Sequence, residues 1–431
     1  MLCGIWKRDV VMCQELVCRM RHRRDWSGKE ADRMRDEKAA ADRILQQEIA
    51  QGNVPGDVRQ RSNGVSALIL HKGKELYYNA FGDADAERGI PMKRDTIIRL
   101  YSMTKPITAA AVMLLAEQGK VDLWEPVSRY LPCFRGQKVW DNVKGEIPAE
   151  RENTIYDLLN MTSGITYPDG ATEPGRRMKA VVDDFVARRE RGERVDTQEY
   201  MRGIASVPLC FQPGDRWMYG YSADVLGGIV EAASGMTFGE FLQKEFFAPL
   251  DMPDTGFFVP EGKRNRLAQY YDMTEEGILV PHKGSHLGEY CGEDAAFESG
   301  GAGLVSTLDD YSHFALMMVG KGAYEGRRIL GRKTVEFMTQ NRLTETQRRT
   351  LNWDSMKGYG YGCLMRVLMD QGEAASNASL GEYGWDGWTG NYVTMDPGEE
   401  FVLLYFIQRC GAGGISGTLR RLRMAAYGML E

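Results

Sequence analysis

Nowhere in the 431 residues is there an apolar run of about 18 or more, so no segment is long enough to cross a bilayer as a helix. No Cys-x-x-Cys pair occurs. The eight cysteines (Cys3, Cys13, Cys18, Cys133, Cys210, Cys291, Cys363 and Cys410) are scattered, and the five histidines form no zinc-type cluster with them. Such thiols read as reduced and mostly buried, the pattern of a reducing cytoplasm. Met1 to Val17 mixes Lys7, Arg8, Asp9 and Glu15 into its apolar residues, which leaves no clean signal-peptide core and again favours the cytoplasm. Basic residues form no long run. The one cluster is Arg19-Met20-Arg21-His22-Arg23-Arg24, and the net charge is -6. This argues against nucleic acid or an anionic membrane as a partner. There is no internal repeat and no low-complexity tract.

What is present is an ordinary globular composition, 43% hydrophobic and 26% charged. The length suits one large domain or two intimate ones. Residues 1–28 are basic and cysteine-rich, unlike the rest, and residues 1–35 read as an N-terminal extension of unclear role. Between Lys29 and Ala50, Ala31, Met34, Ala41, Ile44, Leu45 and Ile49 recur at helical spacing. Val65 to Leu70 and Leu76 to Phe81 read as two strands joined by His71-Lys72-Gly73-Lys74. Ala109 to Gln118 predicts an apolar, central helix. Helical periodicity follows at Ile155–Met161, Asp183–Arg189, Asp224–Ala233, Phe238–Phe247 and Leu308–Val319. Strands return at Tyr392–Met395 and Phe401–Gln408, and Leu419–Leu430 closes with a helix. The expected class is therefore α+β. Both chain ends contribute to one antiparallel sheet flanked by helices, with a mainly helical subdomain inserted between them. The catalytic unit is expected over 36–431, its α/β part at about 36–121 and 295–431 and its helical part at about 122–294.

Three segments carry chemistry. Ser102-Met103-Thr104-Lys105 is the only Ser-x-x-Lys in the chain. If the serine opens a helix, the lysine one turn later lies on the same face. A desolvated lysine of lowered pKa can then take the serine proton. The second segment, Pro213 to Gly228, presents Tyr219 and Tyr221 from a tight turn before a helix, where a tyrosine can relay a proton to a leaving group. In the third, Gly384-Trp385-Asp386-Gly387-Trp388-Thr389-Gly390-Asn391-Tyr392, glycines beside a strand edge allow close substrate approach. A backbone N–H there can serve half of an oxyanion hole. Each has a plainer reading: a chance tetrapeptide, packing tyrosines, a glycine-rich strand entrance.

Two further segments appear in order, Ile155-Tyr156-Asp157-Leu158-Leu159-Asn160-Met161-Thr162-Ser163-Gly164 and Ser299-Gly300-Gly301-Ala302-Gly303-Leu304-Val305-Ser306-Thr307-Leu308-Asp309-Asp310. Together the five resemble the serine beta-lactamase and penicillin-binding protein superfamily. The nearest likeness is to its class C branch and the related family VIII carboxylesterases. The resemblance implies an acylated nucleophile at Ser102, its base at Lys105, and a proton relay at Tyr219. It also implies an oxyanion hole from the N–H groups of Ser102 and Trp388, and no metal or organic cofactor. The chain departs from the family pattern in two places. Tyr221 stands where Tyr-x-Asn has its asparagine. Trp385-Asp386-Gly387 stands where Lys-Thr-Gly belongs, although Trp388-Thr389-Gly390 fits as an alternative register. An aspartate in place of a cation repels a substrate carboxylate.

The leading expectation is a serine hydrolase of carboxylic esters with small or apolar groups. An acyltransferase sharing the acyl-enzyme, a beta-lactamase or D-amino-acid peptidase, and an inactive binding protein are the alternatives. Tyr77-Tyr78-Asn79 reads as an accidental Tyr-x-Asn. His282, His286 and His313 read as surface or capping residues, and Asp309-Asp310 as the first turn of a helix. Aromatic and methionine residues around 351–366 are candidates for the acyl pocket or for core packing.

Overall fold

The computed structural model describes residues 33–49, 63–283 and 297–430. The extension over 1–28 lies outside them, as does His286. Helix α1 covers 33–49. Strands β1 (Gly64–His71) and β2 (Lys74–Asp85) follow as a hairpin. Its two-residue turn, Lys72-Gly73, holds both residues at positive φ (51° and 72°), which matches the twist of the flanking strands. The hairpin extends to β3 (Ile90–Pro91), and the chain then enters α2 (Thr104–Glu117).

The main sheet has eight antiparallel strands in the order β4-β5-β6-β7-β8-β1-β2-β3. Here β4 is Tyr359–Gly362, β5 Met365–Leu368, β6 Tyr383–Asp386, β7 Tyr392–Asp396 and β8 Phe401–Ile407. The two ends of the chain meet at β1 and β8, in a register that runs from Val65↔Ile407 to His71↔Phe401. Every residue of β8 is buried, and helices α5 (Leu308–Val319) and α6 (Gly417–Gly428) both pack on it. A strand covered on both faces shows a continuous apolar run rather than alternation, and Phe401 to Ile407 has that form.

Between α2 and α5 lie α3 (Glu173–Glu190) and α4 (Ser222–Ser234). Residues Thr104 to Leu115 of α2 are buried throughout, and α2 packs against α4. The middle segment also holds two small hairpins, Lys138–Asp141 with Gly145–Pro148 and Tyr271–Met273 with Leu279–Pro281. These strands of three or four residues carry too little periodicity to be read from sequence. The β4–β5 hairpin was not read from the sequence; its four-residue strands, one with two glycines, carry little strand signal. Four cysteines are described as free thiols, but only Cys363 is buried. The expectation of mostly buried thiols does not hold for Cys133, Cys210 and Cys410.

Candidate active site

Ser102 sits in a single 3-10 turn, Tyr101–Met103, that leads directly into α2. Tyr101 has φ +48°, an uncommon conformation for a residue with a side chain. Lys105 lies in the first turn of α2, as the Ser-x-x-Lys spacing requires. Its side chain is wholly buried, and its Nζ lies 3.0 Å from Ser102 Oγ, 3.1 Å from Tyr167 Oη and 2.7 Å from Gly301 O. Burial brings its pKa from 10.5 down to about 7, against the opposing pull of Asp224 and Asp386. A neutral amine fits these neighbours. Its Nζ stands within hydrogen-bond reach of the Gly301 carbonyl, Tyr167 Oη and Ser102 Oγ at once.

The glycine-rich segment after Ser299 lies along the same turn of α2. The Thr108 hydroxyl donates to Gly300 O (2.7 Å), and Thr104 Oγ1 accepts from Leu304 N–H (3.2 Å). A Cβ on Gly300 would fall 2.3 Å from Ala223 O, so this contact admits no side chain. Asp224, in the first turn of α4, accepts from Gly301 N–H (3.2 Å) and from the Ser299 hydroxyl. Burial raises its pKa while Lys105 lowers it.

Tyr219 reaches the cleft from the turn before α4. Met161 O holds that turn through Met218 N–H at 2.8 Å, and a Cβ on Gly220 would fall 2.0 Å from Ile165 O. Tyr219 Oη accepts from Trp385 Nε1–H at 2.9 Å, and its ring lies 4.7 Å from Lys105 Nζ. Burial raises the phenol far above its ordinary value, although hydrogen bonds with Ser102 and Trp385 oppose this. Tyr219 is therefore a neutral acid at rest, not a tyrosinate. Tyr221 packs edge-on against Tyr167 at 4.6 Å. It offers a ring where an amide would otherwise lie.

The third segment packs against Arg99, Leu100 and Tyr101, the residues just before Ser102. Gly387 donates to Asn391 O (2.8 Å), and a Cβ on it would fall 2.5 Å from Leu100 O. Asn391 Nδ2 donates to Arg99 O at 2.7 Å, and Trp388 packs edge-on against Tyr101 at 5.2 Å. The end of β6 is thus seated on the residues just before Ser102. Asp386 accepts from Gly414 N–H (3.1 Å), and burial raises its pKa. In the alternative register, Thr389 would face substrate. Its side chain is instead buried against Asn391 (3.0 Å) and Gln408 (3.1 Å).

Ser102, Tyr219, Tyr221, Trp385, Asp386 and Trp388 line one cavity of about 1080 Å³; Lys105 and Gly387 are not among its lining residues, and Lys105 meets it through Ser102 Oγ. Sequence reasoning missed Tyr167 and Asp224, which also line it. Neither stands at a telling distance from Ser102 in the chain. Of the residues around 351–366, Trp353 lines the cavity, whereas Met356 and Tyr361 pack in the core. Tyr77 and Asn79 both bind Asp42 from β2, away from the site. His313 Nδ1 lies 2.9 Å from Leu250 O, and Asp309 and Asp310 open α5.

Comparison with known proteins bears on the family and the fold. Protein Rv1367c of Mycobacterium tuberculosis is 33% identical over 380 residues, covering 84% of this chain and 92% of the relative. Esterase EstB of Burkholderia gladioli is 32% identical over 386 residues, covering 85% and 91%. Among solved structures, EstCE1, described as a hydrolase with promiscuous acyltransferase activity, superposes with a TM-score of 0.76 at 25% identity, covering 91% of this chain and 99% of that one. The Beta-lactamase family model matches residues 39–426, which takes in all five sequence segments and both ends of the main sheet, and the chain belongs to that family.

Proposed function

We propose that this protein is a serine carboxylesterase acting through an acyl-enzyme on Ser102. The observation that carries the reading is the 3.0 Å contact between Ser102 Oγ and a wholly buried Lys105 whose pKa lies at about 7. At neutral pH a large share of Lys105 is the free amine. It takes the Ser102 proton as Oγ bonds to the ester carbonyl carbon. The N–H groups of Ser102 and Trp388 hold the oxyanion. Collapse breaks the bond to the alcohol oxygen, which leaves with the Tyr219 proton. Tyr219 recovers a proton from Lys105 through the hydroxyl network. Water then attacks the acyl-enzyme, gives one proton to this network and releases the acid, and Ser102 regains its hydrogen. The sum is ester plus water to acid plus alcohol.

The cavity favours apolar groups. Tyr167, Tyr221, Trp353, Trp385 and Trp388 supply much of its wall, and Asp386 opposes a substrate carboxylate. Esterase EstB supports this choice by its name. Acyl transfer is the second reading. The volume of about 1080 Å³ holds an acyl group and an acceptor together, and EstCE1 is described as doing both. The fully assembled set of Ser102, Lys105 and Tyr219 speaks against an inactive binding protein.

The test is intact-protein mass after incubation with a fluorophosphonate, alongside turnover of a short-chain p-nitrophenyl ester. Wild type gives one adduct and turnover, and Ser102→Ala gives neither. An adduct or turnover that survives Ser102→Ala overturns the assignment. Adding alcohols or amines and following ester formation separates transfer from hydrolysis.

A further inference from the structure

The hairpin Tyr271–Met273/Leu279–Pro281 docks beside the end of β8, and backbone bonds fix the junction. Tyr271 N–H donates to Gln408 O (3.0 Å), Cys410 N–H to Tyr271 O (2.8 Å), and His282 N–H to Tyr270 O (2.9 Å). Three metal-ligating side chains from separate stretches of chain meet here. A carboxylate oxygen of Asp272, a ring nitrogen of His282 and Cys410 Sγ all lie within 4.8 Å of one another, with His282 Nδ1 2.8 Å from Asp272 Oδ2. All three residues are half-buried. The sequence showed no metal spacing because 128 positions separate His282 from Cys410.

We propose that Asp272, His282 and Cys410 bind a divalent cation of the zinc class, and that the ion braces the loop behind the catalytic cleft. The donor set chooses the ion. One thiolate, one imidazole and one carboxylate suit Zn²⁺ or Co²⁺. Calcium and magnesium take oxygen ligands and are disfavoured by the thiolate. Three side chains leave a fourth tetrahedral position for water. Binding releases the Cys410 thiol proton.

The position gives the ion a consequence. Cys410 begins a short loop that supports the third motif: Ala412 N–H donates to Trp388 O (3.0 Å) and Gly414 N–H to Asp386 Oδ2 (3.1 Å). The His282 ring stands edge-on to Trp388 at 5.9 Å. An ion joining Cys410 to the hairpin therefore ties down both sides of the segment that carries Trp388 and Asp386.

Cobalt reports on this site directly. The full-length chain, stripped with a chelator, is titrated with Co²⁺ and read for the thiolate-to-cobalt charge-transfer band in the near ultraviolet. We expect a band saturating at one ion per chain and erased by Zn²⁺. Cys410→Ser and His282→Ala should abolish it, and Asp272→Asn should weaken binding roughly 10–100-fold. Cys133→Ser and Cys210→Ser should keep it. Ser102→Ala should also keep it, which separates this site from the esterase reading. As a second readout, Zn²⁺ should raise the melting temperature of wild type and of Cys133→Ser but not of Cys410→Ser. Absence of the band in wild type, or a band or Zn²⁺ stabilisation that survives Cys410→Ser, overturns the proposal.

Discussion

Replacing Lys105 with methionine should destroy activity and yet stabilise the folded chain at neutral pH. The lysine is wholly buried, and its pKa falls from 10.5 to about 7. At about 1.4 kcal/mol per pH unit, keeping it charged in the folded chain costs about 5 kcal/mol below pH 7. Methionine of similar length removes that cost. It also strips Gly301 O, Ser102 and Tyr167 of a shared partner, a loss of about 1–3 kcal/mol. The net gain at pH 7 is about 2 kcal/mol. The sign of the pH dependence follows from the depressed pKa. Between about pH 7 and 10.5 the unfolded lysine holds a proton that the folded one has lost, so raising the pH stabilises wild type. The advantage of Lys105→Met should shrink by about 2 kcal/mol from pH 7 to pH 9. Urea midpoints of the two proteins, measured side by side across that range, read this difference. A gap that stays constant with pH, or widens as pH rises, refutes a buried lysine of lowered pKa.

On the proposed mechanism the same pKa sets acylation: the acylation rate, followed by stopped-flow release of p-nitrophenol, should climb with pH through about 7 and then level, and a flat profile there removes Lys105 as the base. Tyr219→Phe keeps the ring beside Trp385 but removes the leaving-group proton. It should lower kcat by roughly 10²–10⁴ on alkyl esters and less on p-nitrophenyl esters, with fluorophosphonate labelling of Ser102 retained. Equal losses on both ester types would count against Tyr219 as the acid. Gly387→Ala drives a Cβ to 2.5 Å from Leu100 O. It should cost about 1–3 kcal/mol in thermal stability and lower kcat more than it raises KM. For Asp386→Asn, kcat/KM on an ester bearing a carboxylate should rise severalfold relative to its uncharged isostere. An unchanged ratio would show that Asp386 does not face the acyl group.

Short-range patterns in the sequence placed several elements whose physical cause is itself short-range, though Glu173–Glu190 was read only over Asp183–Arg189 and Thr197–Ala205 not at all. Helical spacing placed α2 and α5, and Lys72-Gly73 placed the first hairpin, because each depends on neighbours a few residues apart. Ser102 and Lys105 were legible for the same reason, being one helical turn apart. Tyr219, Trp385 and Asp386 were found through order along the chain and resemblance, since nothing local distinguishes a catalytic tyrosine from a packing one. Tertiary structure alone decided the rest. Thr389 was ruled out of the cleft by its burial against Gln408, not by its spacing. Tyr167 and Asp224 became neighbours of Lys105 only when the first turn of α4 and the loop after Gly164 closed on α2. Burial of Lys105, which moves its pKa into the working range, is a property of everything packed around it. Asp272, His282 and Cys410 meet only because a three-residue strand pairs beyond the end of β8. Contacts of that range depend on where whole elements dock, and a local pattern of residues carries no trace of them.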